Sequence, residues 1–328
     1  MICILFLLIA AAFFRQYREN RQKPISRDGF LFDTSISVSL YGTREESILD
    51  GAFDLCRKYE NEFSPTLETS ALYRMNHRGS GVTEWEADAD LAAITEKGIE
   101  YGEKTDGAFD VTILPVSSLW DFRSGEAKLP DPVALKNALR EVNFRNIRVE
   151  GTKIFFRDDK VQIDPGALAK GYIADRLKDY LLANGVRSAL INLGGNVLCV
   201  GEKPDGEAFQ VAIRKPEKDS TDVVKVLSIR DLSVVSSGIY ERCFDLDGVH
   251  YHHILNPRDG MPYQNGLSSV TVVGPSSLEC DALSTSCFSL GEEEGLRLLD
   301  SMDGYYGYFI RTDGTMISSK AAPDGGND

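Results

Sequence analysis

The chain has 328 residues, enough for one large domain or two ordinary ones with a substantial hydrophobic core. Its 42% hydrophobic and 26% charged residues are typical of a soluble globular body, and its six Cys show no spacing that suggests a disulfide framework. The formal net charge of −14 argues against nucleic acid as the main partner, because phosphate neutralisation needs clustered Lys and Arg.

The chain begins with an unbroken apolar run over residues 2–14. Four basic residues follow it: Arg15, Arg18, Arg21 and Lys23. The run is shorter than the roughly 20 residues of a membrane-spanning helix and fits a signal-peptide core better, although no basic stretch precedes it. The basic residues behind it would favour retention on the cytoplasmic side. We interpret residues 1–23 as an export signal or membrane anchor of open topology, residues 24–320 as the folded body and residues 321–328 as a flexible tail.

The first part of the body is predicted to contain a strand and two helices. Residues 35–41 alternate polar and apolar side chains, which predicts a half-buried strand. Thr43 and Glu46 form a capping-box pair that would open a helix. The apolar face of this helix is expected at Ile48, Ala52, Phe53, Cys56, Tyr59 and Phe63. A second helix is expected from about Ala87 to Lys104, and a turn follows at residues 105–115.

The stretch Val161–Tyr172 is the centre of the predicted arrangement. Its first three residues predict a buried strand, and Pro165-Gly166 predicts a tight turn. A helical pattern then starts at Ala167 and ends at the cap pair Asn184-Gly185.

Two properties of this stretch suggest a binding site. Small residues crowd the first turns of the helix, so a ligand or another backbone could approach closely, and the first N–H groups of the helix could receive an anion. Asp164 and Lys170 place one charge of each sign beside this opening. An ordinary strand–turn–helix connection is the alternative.

The rest of the body mixes strands and helices. A short helix is expected to begin at Asp131-Pro132. Strands are expected at 146–149, 153–157, 188–193, 208–214, 224–230, 233–240, 250–255 and 268–273. Helices are expected at 277–290 and 292–302, and a hairpin turn at 312–314. Long runs of strands interrupted by helices favour an α+β body with mixed or antiparallel sheets over a regular βαβ order.

Asp281 and Thr285 are the first candidate site residues. They stand four residues apart near the start of a predicted helix, so both side chains project from one face. A carboxylate with a hydroxyl is oxygen ligation that suits Mg²⁺ and not Zn²⁺. The alternative is that Asp281 only stabilises the helix N-terminus through the helix dipole.

The second candidate is the segment His250–Gly260, which holds three of the four His of the chain. Strand alternation would put His250 and His252 on one face and His253 on the other. No Cys or acidic ligand stands at a suitable spacing for Zn²⁺. A single His acting as a proton acceptor is the chemical interpretation, and a surface histidine strand is the alternative.

Two glycine-containing turns complete the candidates. Gly194-Gly195 follows a predicted buried strand, and such backbone can approach a phosphate or sugar closely. The segment Asp106–Asp110 could be only a turn. The sequence contains no P-loop, no Rossmann fingerprint and no hydrolase nucleophile elbow.

Taken in chain order, these segments resemble the ApbE family of FAD:protein FMN transferases. The matching segments are Phe32–Thr34, Ser64–Thr66, Asp106–Thr112, Asp164–Tyr172, Asn192–Asn196, His253–Gly260 and Asp281–Thr285. The resemblance extends over about residues 28–318. It implies that residues 24–320 form a T-fold-like flavin transferase domain that binds FAD with Mg²⁺ on its diphosphate. Such a domain moves FMN to a Thr or Ser hydroxyl of a partner protein and releases AMP.

The resemblance also assigns site residues. The metal ligands would be Asp281, Thr285 and the backbone carbonyl of Ala167, and His253 would be the base for the acceptor hydroxyl. The FAD site would be lined by Phe32, Thr34, Thr66, Ala108, Phe109, Asp110, Asp164, Lys170 and Leu255. Phe32-Asp33 stands where the family often has Met-Gly, so the flavin contact there is expected to differ.

The implied partner is an acceptor protein of a redox chain with a Thr or Ser flavinylation motif. The N-terminal segment would place the enzyme at the cell membrane, on its extracytoplasmic face. Two other functions remain open at this point. A Mg²⁺-dependent FAD pyrophosphatase would use the same site with water as nucleophile, and a non-catalytic flavin-binding envelope protein would retain intact FAD.

Overall fold

The fold is built on antiparallel strands, as seen in a computed structural model that describes residues 23–122, 127–217 and 220–323. The strands of this part of the chain are β1 (Ile25–Leu31), β2 (Thr34–Leu40), β3 (Glu84–Glu86), β4 (Ile147–Glu150), β5 (Lys153–Phe156), β6 (Ala189–Leu193), β7 (Asn196–Val200), β8 (Phe209–Arg214), β9 (Val223–Ile229), β10 (Ser233–Gly238), β11 (Cys243–Leu246), β12 (Val249–His252), β13 (Leu267–Gly274), β14 (Tyr306–Arg311) and β15 (Met316–Ser318).

Helices connect these strands. In the same part of the chain they are α1 (Glu46–Phe63), α2 (Ala71–Asn76), α3 (Ala89–Lys104), α4 (Leu114–Ser117), α5 (Pro132–Ala138), α6 (Ala169–Ala183), α7 (Ser277–Leu290) and α8 (Glu292–Asp300). A 3₁₀ turn spans Phe144–Asn146.

The main sheet has eight strands in the order β1-β2-β6-β7-β10-β13-β14-β15, and each neighbouring pair is antiparallel. Helices α1, α6, α7 and α8 pack on one face of this sheet around the largest hydrophobic core. The two-stranded sheet β8–β9 covers the other face around a second core. The predicted α+β class with antiparallel sheets is therefore confirmed.

The apolar face predicted for α1 is buried as expected, but its predicted cap is wrong. The helix begins at Glu46 with Glu45 as the capping residue, and Glu45 provides no side-chain cap. Thr43 lies two residues before the cap, where its hydroxyl accepts a hydrogen bond from the Glu45 amide at 3.2 Å. A capping box needs the hydroxyl on the capping residue itself, so Thr43 stands too early.

The strand predicted at 161–163 is also wrong, although Val161 and Ile163 are buried as predicted. Side chains take the hydrogen bonds that a neighbouring strand would make. The Asn76 side chain bonds both the amide and the carbonyl of Ile163 at 2.8 Å. The Arg78 guanidinium donates to the Val161 carbonyl at 2.8 Å. The apolar alternation predicted correctly which side chains are buried, but it could not predict which groups hydrogen-bond the backbone.

Helix α6 begins two residues later than predicted, at Ala169 instead of Ala167. The Leu168 amide bonds the Pro165 carbonyl at 2.8 Å, so residues 165–168 form a separate turn. The predicted end is confirmed, with Asn184 as the cap and Gly185 at a φ of 78°.

Several strands gave no clear signal in the sequence. Strand β1 lies at the edge of the main sheet with no buried residue, so its side chains need not alternate in polarity. Strand β7 follows the Gly194-Gly195 turn directly and pairs back on β6. Strand β11 was not predicted and forms a small hairpin with β12, which was predicted at 250–255 and spans Val249–His252 in the structure.

Within residues 23–122, 127–217 and 220–323, no helix combines the length and the apolar character needed to cross a membrane. The predicted signal or anchor lies outside the described residues except for Lys23, and residues 324–328 of the predicted tail also lie outside them.

Helices α6 and α7 approach each other most closely at Gly171. A Cβ atom at this position would lie 2.3 Å from the Ser277 carbonyl oxygen and 2.7 Å from the Leu278 Cα. Only a residue without a side chain permits this approach, because both contacts are with backbone that cannot rotate away.

We therefore expect Gly171→Ala to lower the free energy of unfolding by about 1–3 kcal/mol, the usual cost of overpacking. Urea denaturation measures this change. Gly79→Ala is the matched control, because a Cβ at Gly79 would only touch a Val82 methyl group at 3.8 Å. Equal effects of the two substitutions would contradict the close packing of α6 on α7.

Candidate active site

A hydrogen bond joins the two segments that the sequence assigned to the metal and to the anion. The Gly171 amide, in the first turn of α6, donates to the Asp281 Oδ2 atom at 2.9 Å. Asp281 lies on α7 and is only 3% exposed. These residues are 110 positions apart in the chain, so the fold and not the local sequence brings them together.

A second carboxylate links the same two helices. Asp175, on α6, accepts hydrogen bonds from the Ser277 and Leu278 amides of α7 at 2.9 and 3.0 Å. Each helix thus satisfies N-terminal amides of the other, which would otherwise lack partners. This reciprocal capping fixes the position of Asp281 relative to the start of α6.

Two further oxygen atoms lie at this junction. Ala167 stands four residues before Gly171, and its carbonyl accepts no hydrogen bond from the described residues, because the Gly171 amide bonds Asp281 instead. The Thr285 hydroxyl lies 3.0 Å from the Ser237 hydroxyl on β10. A carboxylate, a carbonyl and a hydroxyl are all hard oxygen donors.

The donor set fits Mg²⁺ and does not fit Zn²⁺. No group of three or more His, Cys, Asp or Glu that could hold a metal occurs among the described residues. Zn²⁺ sites in proteins usually need three or four such ligands. Mg²⁺ is commonly held by one or two carboxylates together with waters and substrate phosphates.

His253 follows β12 and has an unsatisfied ring nitrogen. Its amide donates to the Arg242 carbonyl at 3.1 Å, and its buried Nδ1 atom has no hydrogen-bond partner. Burial, together with the charges of Arg242 and Lys170, lowers the pKa of His253 to about 3. The imidazole is therefore neutral near pH 7 and can accept a proton. A buried polar atom without a partner indicates a place for a ligand.

Two cations stand near His253 without an acidic partner. Neither Lys170 nor Arg242 has an Asp or Glu oxygen within 4.0 Å in the described part of the chain. The Glu241 side chain reaches solvent, but protein atoms around its carboxyl group limit its hydration and raise its pKa. The charges of Lys170 and Arg242 oppose this rise in pKa, and the charge of Asp281 adds to it. The cleft therefore holds charges of both signs beside the Asp281 junction.

Glycines form one wall of this cleft. A Cβ atom at Gly194 would lie 2.4 Å from the Thr34 hydroxyl, and one at Gly195 would lie 3.6 Å from a Glu241 carboxylate oxygen. The predicted site residue Thr34 therefore lies against the Gly194-Gly195 turn. Phe32, two residues before Thr34, has a left-handed conformation with a φ of 56°. Its amide donates to a Glu60 carboxylate oxygen at 2.9 Å.

Ala108, Asp164 and Leu255 belong to a second, connected group. The Tyr263 hydroxyl donates to the Ala108 carbonyl at 2.9 Å, while Leu255 forms an isolated β-bridge with Pro262. The Asp164 amide donates to the Val111 carbonyl at 2.8 Å, so the loop at 106–112 lies beside the turn at 164–168.

For three predicted FAD contacts, the side chain is hydrogen-bonded, buried in the core or exposed at the surface. The Asp110 carboxylate accepts from the Thr112 amide and from the Phe144 amide, both at 2.8 Å, and Phe109 is buried in the main core. Contacts of Phe109 and Asp110 with a ligand would therefore come from their backbone. Thr66 is exposed, and its hydroxyl lies 3.4 Å from the Ser64 hydroxyl.

Comparisons with known proteins point to one family. The family model described as "ApbE family" matches residues 32–309. An FAD:protein FMN transferase of Treponema pallidum is 33% identical over 93% of this chain and 89% of its own length. A Klebsiella pneumoniae protein of the same name is 32% identical over 90% of this chain and 91% of its own length.

The chain belongs to the ApbE family.

Solved structures of this family share the fold. The ApbE protein of Thermotoga maritima superposes with a TM-score of 0.82 and 25% identity, covering 91% of this chain and 97% of its own. The flavinyl transferase ApbE of Pseudomonas stutzeri gives a TM-score of 0.79 and 27% identity, covering 91% of this chain and 95% of its own. The family predicted from the sequence is thus confirmed.

Five residues that the structure brings beside the candidate site residues were not predicted from the sequence: Asn76, Ser237, Glu241, Arg242 and Tyr263. The sequence pattern could have indicated Ser237, Glu241 and Arg242. Strand β10 ends in small polar residues, and a charged Glu-Arg pair begins three positions after its last residue. Asn76 and Tyr263 act through backbone groups far away in the chain, and no local pattern reports that.

His252 allows a test of the histidine segment by pH. It is 1% exposed, its Nε2 atom lies 2.9 Å from the Tyr263 carbonyl, and its Nδ1 atom accepts from the Ile254 amide. Burial lowers its pKa from 6.5 to about 4. The unfolded chain therefore binds a proton below pH 6.5 that the folded chain binds only below about pH 4.

We expect the free energy of unfolding to fall as the pH drops from 6.5 to 4. The contribution of His252 is about 3 kcal/mol in all, since each pKa unit corresponds to about 1.4 kcal/mol. Urea denaturation at several pH values measures it, with His252→Gln as the control that removes the titrating group. Parallel pH profiles for the two proteins would contradict a neutral, buried His252.

Proposed function

We propose that this chain transfers FMN from FAD to a Thr or Ser hydroxyl of another protein and releases AMP. The names of its relatives support the transfer of FMN from FAD to a protein. The observation that carries the chemical part is the hydrogen bond from the Gly171 amide to Asp281. This bond brings the Asp281 carboxylate to the start of α6, and helix N-termini favour anionic groups such as a diphosphate.

The metal in this proposal is Mg²⁺, held by Asp281, Thr285 and the Ala167 carbonyl. Only one Asp281 oxygen is used by the Gly171 amide, so the other is available to a ligand. When bound, Mg²⁺ supplies charge neutralisation of the diphosphate and a template for its orientation.

The other residues of the cleft have roles that follow from their charge and position. Lys170 and Arg242 would offset the negative charge that the diphosphate brings into a protein of net charge −14. The first amides of α6 add to this field. The Gly194-Gly195 turn would present backbone without side chains beside Thr34 and Glu241.

The reaction proceeds by exchange of one phosphate ester bond. The acceptor hydroxyl oxygen attacks the phosphorus of the FMN half of FAD, and the bond from that phosphorus to the bridging oxygen breaks. The bridging oxygen leaves with AMP. The hydroxyl proton passes to His253, whose neutral imidazole can take it.

We also propose that the N-terminal segment holds the enzyme at the membrane, with the body on the extracytoplasmic face. The support is the apolar run over residues 2–14. Fractionation of cells that express the chain with and without residues 1–23 tests this proposal, and equal partition of both forms into the soluble fraction would reject it.

Replacement of the metal ligand gives the first functional test. We expect Asp281→Asn to reduce FMN transfer by at least about 100-fold, because the metal loses its one carboxylate. The assay combines purified protein, FAD, Mg²⁺ and a peptide with a Thr acceptor, and mass spectrometry detects the FMN adduct. Asp179→Asn is the control, because Asp179 is an exposed carboxylate of α6 that pairs only with Arg176 among the described residues. Equal losses in both variants would contradict a metal-binding role for Asp281.

Replacement of the base gives the second test. We expect His253→Ala to reduce transfer by about 10²–10⁴-fold, the usual contribution of general base catalysis, while FAD binding persists. Flavin fluorescence measures binding, and His77→Ala controls for the loss of an exposed imidazole. Loss of FAD binding without a separate catalytic defect would exclude the base role. Release of free FMN and AMP in the presence of the acceptor would instead identify a pyrophosphatase.

A further inference from the structure

Three hydroxyl groups connect strand β10 with helix α7 beside the candidate metal ligands. The Ser237 hydroxyl on β10 lies 2.8 Å from the Ser284 hydroxyl and 3.0 Å from the Thr285 hydroxyl, both on α7. The Ser284 hydroxyl donates to the Asp281 carbonyl at 2.9 Å. We call Ser237, Ser284 and Thr285 the hydroxyl chain. It ends at the backbone of Asp281, whose carboxylate is the candidate metal ligand.

Only one arrangement of protons makes all three contacts hydrogen bonds. A hydroxyl group has one proton to donate and two lone pairs that accept. A carbonyl oxygen only accepts, so the single proton of Ser284 points to Asp281. Ser237 must then donate to Ser284, and Thr285 must donate to Ser237. The contacts therefore fix the direction of every hydroxyl group in the chain.

This direction leaves the lone pairs of the Thr285 oxygen available. Among the residues that the structure describes, Ser237 is the only hydrogen-bond partner of the Thr285 side chain. Thr285 is half-buried, whereas the other residues of 281–289 are all buried, so α7 becomes accessible at this position. A cation is attracted by lone pairs and repelled by a hydroxyl proton. With its proton held by Ser237, the Thr285 oxygen is prepared for a cation.

Strand β10 holds Ser237 at a defined position. It lies inside the main sheet, between β7 and β13. Val235 packs in the largest core, below the helices, and Val234 packs in the core on the opposite face. Alternation along the strand therefore directs Ser237 toward α7 and Ser236 toward the β8–β9 side. The acceptor of the Thr285 proton thus belongs to the sheet and not to a loop.

We propose that Ser237 and Ser284 are positioning residues of the metal site, which keep the Thr285 proton away from the ion and direct its oxygen lone pairs to it. The inference rests on the proposed function, because Mg²⁺ at Asp281 and Thr285 is part of that proposal. Neither serine needs to contact the ion. Groups that orient metal ligands in this way typically change the metal affinity by about 10–100-fold when they are replaced.

The two serines should act in different ways. Without Ser237, the Thr285 hydroxyl loses the acceptor that fixes its direction. Without Ser284, the Ser237 proton loses its acceptor and turns to the Thr285 oxygen, where it occupies a lone pair. Ser284 therefore influences the ion only through Ser237, although its own side chain is fully buried. A purely structural role, in which these hydroxyl groups only tie α7 to β10, predicts no such dependence.

The first test replaces Ser237 in the full-length enzyme. Ser237→Ala should raise the dissociation constant for Mn²⁺, used in place of Mg²⁺, by about tenfold. Electron paramagnetic resonance of free Mn²⁺ measures this constant. The Mg²⁺ concentration for half-maximal FMN transfer should rise in parallel, while kcat at saturating Mg²⁺ is unchanged.

Ser236→Ala is the matched control. It removes the same group from the next position of the same strand, where the Ser236 hydroxyl lies 2.7 Å from the Thr271 hydroxyl. Its Mn²⁺ affinity should equal that of the wild type. A purely structural role of Ser237 would lower the free energy of unfolding in urea without weakening Mn²⁺ binding by the folded protein, and that result would overturn the inference.

A double-mutant cycle tests the order of the chain. Ser284→Ala should also weaken Mn²⁺ binding, and Ser237→Ala/Ser284→Ala should bind Mn²⁺ as tightly as Ser237→Ala alone, because Ser284 acts only through Ser237. Losses that add in the double variant would overturn the inference. Asp281→Asn separates the two proposals. Wild type and Asp281→Asn with equal Mn²⁺ affinity would reject the metal site of the proposed function, whereas loss in Asp281→Asn but not in Ser237→Ala would reject the hydroxyl chain alone.

Discussion

The hydrogen bond between the Gly171 amide and the Asp281 carboxylate is the contact on which the rest of the site depends. A carboxylate that is 3% exposed is costly to bury unless donors satisfy it. One of its oxygens takes an amide at the start of α6, where the helix dipole also favours negative charge. The other oxygen can therefore face the cleft as a ligand.

Reciprocal capping makes this arrangement stiff. Asp281 of α7 accepts from α6, and Asp175 of α6 accepts from the Ser277 and Leu278 amides of α7. The close approach at Gly171 leaves no space between the two helices. A site built on packed helix ends holds its ligands more precisely than one built on loops alone. His253 and Arg242 flank a separate hairpin, so the candidate base and the candidate metal ligands come together only in the complete fold.

The sequence allowed local features of the site to be predicted, but not its assembly. The side chains of Asp281 and Thr285 share a face because helical geometry requires it, and the bounds of α7 were predicted correctly. The strand predicted at 161–163 failed because Asn76 and Arg78 supply the hydrogen bonds, and no pattern of apolar residues reports such partners. Glu241 and Arg242 could be recognised as candidate site residues only from the fold, which brings them close to Lys170 and His253.

The central claim is that one divalent ion binds where α6 meets α7. Crystals of the protein grown with Mn²⁺ and ADP, as mimics of Mg²⁺ and a dinucleotide diphosphate, would locate that ion by its anomalous scattering. We expect one peak within coordination distance, about 2.1 Å for Mg²⁺, of Asp281, Thr285 and the Ala167 carbonyl, with phosphate oxygens completing its shell. An ion that contacts the diphosphate but none of these three residues would contradict the account.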